Sequence, residues 1–145
     1  MARVLVVDDE ANHVRVLSIG LRIEGFEVLS AFDADSAMKA LEDAGATTDV
    51  AIVDLMMPGT NGIMLARRMR DLYPAIRVIL TSAYHLSERQ LVRADCGAVG
   101  FVPKPYDLTE LARFLRSKLP SASNPEVLAS PKDHIEDAAT ELAHV

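Results

Sequence analysis

Short apolar runs rich in β-branched residues recur at 4–7, 27–31, 50–53, 77–81 and 99–102, and longer stretches with helical spacing separate them. Runs of this length between turn signals predict strands. Three of them are apolar almost throughout, as central strands covered on both faces should be, while the weaker run at 27–31 suits an edge. Between the runs, Val14, Leu17 and Leu21 fall near a 3.6-residue period, as do Ala37, Met38 and Leu41, and then Ile63, Leu65, Ala66 and Met69. Each set predicts a one-sided helix. Ser87 with Gln90 and Asp107 with Glu110 have the form of capping boxes opening a fourth and a fifth helix, and Gly25 and Gly45 stand where C-caps belong. Leu108, Leu111, Leu115 and Leu119 supply the buried stripe of the fifth helix.

Strict alternation of strand and helix predicts a parallel sheet wound on both faces, an α/β fold. With right-handed crossovers, five strands of this size take the flavodoxin-like order 2-1-3-4-5. The winding then reverses beside strands one and three, so a ligand binds where those two strands end.

Composition bounds the rest. The 145 residues hold one folded domain, 1–119, and a Ser/Pro/Ala-biased linker-like tail, 120–145. In the tail Ser130 and Asp133 read as an N-cap pair with Pro131 at the first helical position, and Ile135, Ala138, Ala139 and Leu142 share one face of a short amphipathic helix. Fifteen basic residues against 21 acidic ones give a net charge of −6, with the basic residues scattered. That argues against direct binding of nucleic acid, which needs clustered Lys and Arg. The single Cys96 has no partner for a disulfide or a zinc motif and fits a reducing compartment. The apolar run at 4–7 is too short for a signal peptide or a membrane span. A soluble, cytoplasmic protein is expected. His13 and His85 read as solvated loop residues, and His134 and His144 lie in the tail, so no histidine metal cluster is expected.

The chemistry gathers at the strand ends. The first strand runs into Asp8-Asp9 and the third into Asp54, which brings three carboxylates to the switch point. Such a cluster needs a counter-ion, and oxygen ligands beside room for water suit Mg²⁺. The fourth strand ends in Thr81-Ser82, and Lys104 follows the fifth between Pro103 and Pro105. Carboxylates, a hydroxyl and an ammonium can together hold a metal, a nucleophilic carboxylate and an incoming phosphoryl group.

The segments VLVVDDE at 4–10, VAIVDLMMPGTNG at 50–62, VILTSAY at 78–84 and GFVPKPY at 100–106 resemble, in order and spacing, the response-regulator receiver family of two-component signalling, chemotaxis regulators included. The resemblance covers residues 2–119. It implies that Asp54 accepts a phosphoryl group from a sensor histidine kinase, a phosphotransfer protein or a small acyl phosphate. Asp9 resembles the direct Mg²⁺ ligand and Asp8 the second acid, with the backbone carbonyl of Met56 completing the set. Ser82, 22 residues before Lys104, matches the hydroxyl that turns toward the phosphoryl group, and leaves Thr81 as a strand residue. Lys104 matches the ammonium that pairs with it, and the Lys104–Pro105 bond is implied to be cis. Phe101 falls at the aromatic switch position, where burial of its ring, not a hydroxyl, has to carry the signal. The resemblance further implies a switching face formed by helix four, strand five and helix five. An output partner or output domain, or a homodimer formed on phosphorylation, would read that face.

Enzyme and cofactor-binding alternatives fare worse on the same residues. A Mg²⁺-dependent phosphatase of haloacid-dehalogenase type needs a second Asp two residues after the nucleophile, where this chain has Met56. An FMN-binding flavodoxin needs a Ser/Thr/Gly phosphate loop, where this chain has Asp8-Asp9-Glu10. The expectation is a signalling phosphoacceptor, not an enzyme acting on other substrates.

Overall fold

The computed structural model describes residues 2–44, 47–57, 59 and 61–119. The expected tail helix and the expected cap at Gly45 lie outside them. Strands β1 (Arg3–Val7), β2 (Glu27–Ala31), β3 (Val50–Asp54), β4 (Arg77–Ser82) and β5 (Gly100–Pro103) alternate with helices α1 (Ala11–Ile23), α2 (Ala34–Ala44), α3 (Gly62–Leu72), α4 (Glu88–Ala94) and α5 (Leu108–Lys118). The strands form one parallel sheet in the order β2-β1-β3-β4-β5. This is the expected α/β topology, with β2 at an edge.

Alternation along each strand divides the core into two layers. Val4 and Val6 of β1 and Val50 and Ile52 of β3 pack with Val14, Leu17 and Leu21 of α1 and with Leu111 and Leu115 of α5. The intervening Leu5, Val7, Ala51 and Val53 face the other way and pack with Ala37 and Leu41 of α2 and with Leu65, Ala66 and Met69 of α3. Both faces of β1 and β3 are thereby dry, which explains why those runs carry almost no polar residue.

The ends of the elements sharpen the expected bounds. β3 and β4 each run one residue past their apolar stretch, so Asp54 and Ser82 are, as expected, the last residues of their strands. β5 begins at Gly100, and Leu119, as the C-cap of α5, still packs half-buried on the core layer of Leu111 and Leu115. Ser87 and Gln90 form the reciprocal capping box, and the Asp107 side chain accepts the Glu110 amide. Gly25, with φ +97, closes α1 through its N–H to the Arg22 carbonyl. Helix α4 has only seven residues and none of them is buried. Its C-terminal carbonyls, on Ala94 and Asp95, accept from Arg67 and Arg70 of α3. Among the described residues no helix is long and apolar enough to cross a membrane.

Candidate functional site

Register places the acids. Val7 of β1 is level with Val53 of β3, so the next residues, Asp8 and Asp54, leave the sheet side by side at its carboxyl edge. Both are buried, while Asp9 faces solvent. Carboxylate oxygens of Asp8, Asp9 and Asp54 all lie within 4.8 Å of one another. The turns after the strands steer the two buried groups: the Glu10 amide donates to Asp8 Oδ1 at 2.9 Å and the Met56 amide to Asp54 Oδ1 at 3.2 Å.

Lys104 closes the site from β5. Its amide continues the ladder to the Ser82 carbonyl at 2.8 Å, and the Lys104–Pro105 peptide is cis. The ammonium lies 2.8 Å from Asp8 Oδ2 and 3.4 Å from Asp54 Oδ2. Burial would lower the Lys104 pKa, but the hydrogen bond and charge of Asp8, followed by Asp54, outweigh it and hold the ammonium above its ordinary value. Burial also pushes the Asp8 carboxyl up, yet Lys104, the Glu10 amide and His13 hold it below the usual carboxylate range. Asp54 goes the other way. Burial raises it, the Asp8 charge adds to that, and the Met56 amide and Lys104 offset the rise only in part. The single ammonium is nearer Asp8, so Asp54 remains the more basic of the two buried carboxylates.

Ser82 is buried at the end of β4, and its hydroxyl accepts the Tyr84 amide at 3.1 Å. Thr81 points to the opposite face of the sheet, with its hydroxyl buried and unpartnered among the described residues. Phe101 is fully buried, on the same layer as Leu80. Met56 follows β3 with its side chain exposed and its amide on Asp54.

Of the two histidines expected to be solvated loop residues, His85 is one and His13 is corrected. His13 lies in the first turn of α1, where the helix swings it back over the strand end. Its Nδ1 is 3.3 Å from Lys104 Nζ and 3.5 Å from Asp8 Oδ2, and its Nε2 is 3.3 Å from Glu10. The only signal in the sequence was its place one helical turn after the acidic cluster. His85 is exposed, but its ring stands edge-on to Phe101 with centroids 6.3 Å apart.

Residues 4–116 match the model of the response regulator receiver domain. The chain belongs to the response-regulator receiver family. Regulatory protein AtoC of Escherichia coli is 38% identical over 81% of this chain and 25% of its own length. Sensory transduction protein RegX3 of Mycolicibacterium smegmatis is 34% identical over 82% of this chain and 51% of its own. The receiver thus spans between a quarter and about half of the curated relatives it matches. Among solved structures, response regulator protein TrrA of Thermotoga maritima, in complex with Mg²⁺-BeF, is 31% identical with a TM-score of 0.72, covering 82% of this chain and all of that one. The chain is thus a receiver domain of the two-component response-regulator type, and the family is one of signalling phosphoacceptors.

Proposed function

We propose that Asp54 is the phosphoacceptor of this receiver and that Asp8, Asp9, Asp54 and the backbone carbonyl of Met56 hold a Mg²⁺ ion. The observation that carries this reading is the convergence of three carboxylates within 4.8 Å at the β1/β3 switch point, with one ammonium against them. An all-oxygen donor set with excess negative charge fits a hard divalent cation. The TrrA complex with Mg²⁺-BeF supports Mg²⁺ as that cation. When bound, the ion supplies charge neutralisation for the phosphoryl oxygens.

The chain's own groups account for the rest. An Asp54 carboxylate oxygen attacks the phosphorus of a phosphohistidine on a sensor histidine kinase or phosphotransfer protein, or of an acyl phosphate. The new O–P bond forms as the donor's P–N or P–O bond breaks, and the leaving histidine nitrogen takes its proton from water. A carboxylate made more basic by burial is the better nucleophile of the two buried acids. Lys104, 3.4 Å from Asp54, is placed to pair with the transferred group, and the Met56 amide to donate to it. The product carries about 1.5 to 2 additional negative charges and three acceptor oxygens.

Those oxygens compete for the Ser82 hydroxyl. Turning it toward Asp54 gives up the Tyr84 amide, and the segment that moves carries His85, whose ring rests on Phe101. Ser82 and Phe101 thus form the switch, and its output is the α4-β5-α5 face, where α4 rests on the core only through the half-buried Leu91 and Ala94. An output partner or domain, or a second phosphorylated copy, reads that face. A cytoplasmic setting, with Mg²⁺ and a kinase at hand, suits this chemistry. Intact-mass analysis after incubation with acetyl phosphate and Mg²⁺ tests the proposal. One phosphoryl mass on wild type and none on Asp54→Asn is expected; labelling of Asp54→Asn at the wild-type rate would reassign the acceptor.

A further inference from the structure

The outer face of α1 is apolar. Val16, Ile19 and Ile23 are 66%, 51% and 81% exposed, and their i, i+3, i+7 spacing puts them in one line along the helix, opposite the buried Val14, Leu17 and Leu21. The helix carries Arg15 and Arg22 and no acidic residue, in a chain of net charge −6. Scattered exposed apolar residues need no explanation, but a line of three on one cationic helix marks a binding face.

We propose that this face docks residues 131–144 of the same chain, which bind it in cis as an amphipathic helix. The first support is the matching stripe: Ile135, Ala138 or Ala139, and Leu142 repeat the spacing found on α1. Charge is the second. Asp133, Glu136, Asp137 and Glu141 against Lys132 make the segment acidic where α1 is basic.

Reach is the third support. Arg116, in the last turn of α5, donates to the Glu24 carbonyl at 2.7 Å and lies 3.3 Å from its carboxylate. The chain therefore leaves α5 beside the C-terminal end of α1, next to Ile23. A coil of eleven residues, the length of 120–130, spans about 17 to 20 Å on average. The 13 residues of α1 measure about 20 Å, so the linker sets the segment down on the face without stretching. A tether this short gives an effective concentration in the mM range, so an intrinsic Kd of about 1 mM leaves roughly half of the molecules docked. An undocked helix of about fourteen residues is marginal in water, which couples its folding to docking.

Hydrogen exchange of the full chain at about 10 µM and about 200 µM tests this. Exchange across 131–144 is expected to be slowed roughly twofold or more relative to Ile135→Asp with Leu142→Asp, equally at both concentrations. Val16→Gln with Ile19→Gln and Ile23→Gln should abolish that slowing. Wild-type exchange equal to that of the tail variant, or slowing that survives the α1 substitutions, overturns the proposal. Slowing that appears only at the higher concentration overturns it in favour of a second copy on the same face. The tail substitutions lie outside the receiver's core, so the comparison stands even if the α1 variant is less stable.

Discussion

Gly62 is where the scaffold beneath Asp54 has no slack, and Gly62→Ala perturbs the site sharply while removing none of its reacting groups. A Cβ at Gly62 would lie 2.5 Å from the Asp54 carbonyl oxygen, 2.9 Å from Leu55 Cα and 3.0 Å from the Asp54 carbonyl carbon. All three are backbone atoms, which cannot rotate aside. Restoring a contact of about 3.5 Å requires either the Asp54 backbone or the start of α3 to retreat by about 1 Å. Both are tethered: the Gly62 amide donates to the Leu55 carbonyl at 2.9 Å, and the Asn61 side chain caps the Met64 amide at 2.9 Å. In an uncrowded helix, replacing Gly by Ala gains roughly 0.5 to 1 kcal/mol. Overpacking here costs about 1 to 3 kcal/mol, so the sign reverses. A loss of 1 kcal/mol lowers the Tm of a domain this size by roughly 3 to 5 °C. The chemistry should suffer more, because a 1 Å misplacement of a reacting group costs on the order of 100-fold in rate. Thermal melts by circular dichroism and initial rates of labelling by acetyl phosphate, read by intact mass, measure the two effects. Gly25→Ala is the control: its φ of +97 penalises Ala, but nothing lies within 4 Å of the added Cβ. It should lose stability and keep its labelling rate. A Gly62→Ala protein that melts no lower than wild type, or is labelled within about twofold of the wild-type rate, refutes the reasoning.

Mg²⁺ in excess should raise the Tm over that in EDTA, by relieving repulsion among Asp8, Asp9 and Asp54; equal midpoints would count against a convergent acidic site. Ser82→Ala should still be labelled on Asp54 but lose most amide shifts on the α4-β5-α5 face, and a full wild-type set of shifts would remove Ser82 from the switch. Lys104→Met in Mg²⁺-free buffer should cost about 2 to 3 kcal/mol at pH 7, somewhat less than for a fully buried pair because the ammonium is 14% exposed. The sign with pH follows from the carboxylates. The depressed Asp8 contributes stability above its unfolded pKa of about 4 and loses it as pH falls below, while the raised Asp54 is relieved as it protonates. Urea melts should therefore show the cost of Lys104→Met shrinking toward pH 3, and a constant cost would exclude the Asp8 and Asp54 carboxylates as its origin.

The elements and most of the site were legible in the linear chain, for one reason. In a doubly wound sheet every strand is an apolar run, and the residues just past its end are at the ligand edge, so Asp8, Asp9, Asp54, Ser82 and Lys104 could be placed by counting from the runs. Strand order followed from handedness and from the contrast between dry central runs and the half-polar run at 27–31. What depended on distance between elements was not legible. Lys104 and His13 are 91 residues apart and meet only because the Lys104 side chain reaches from the end of β5 across β4 and β3 to the end of β1, where α1 begins. His85 on Phe101, the crowding of Gly62 under Asp54 and the absence of any buried residue in α4 are of the same kind. The balance between the two buried acids also belongs to the tertiary structure. The sequence by itself determines which charges arrive at the edge; only the folded geometry, by setting Lys104 nearer Asp8 than Asp54, decides which carboxylate stays more basic. Charge type is a property of the residue, whereas burial and separation, which set its pKa, exist only once the strands lie side by side.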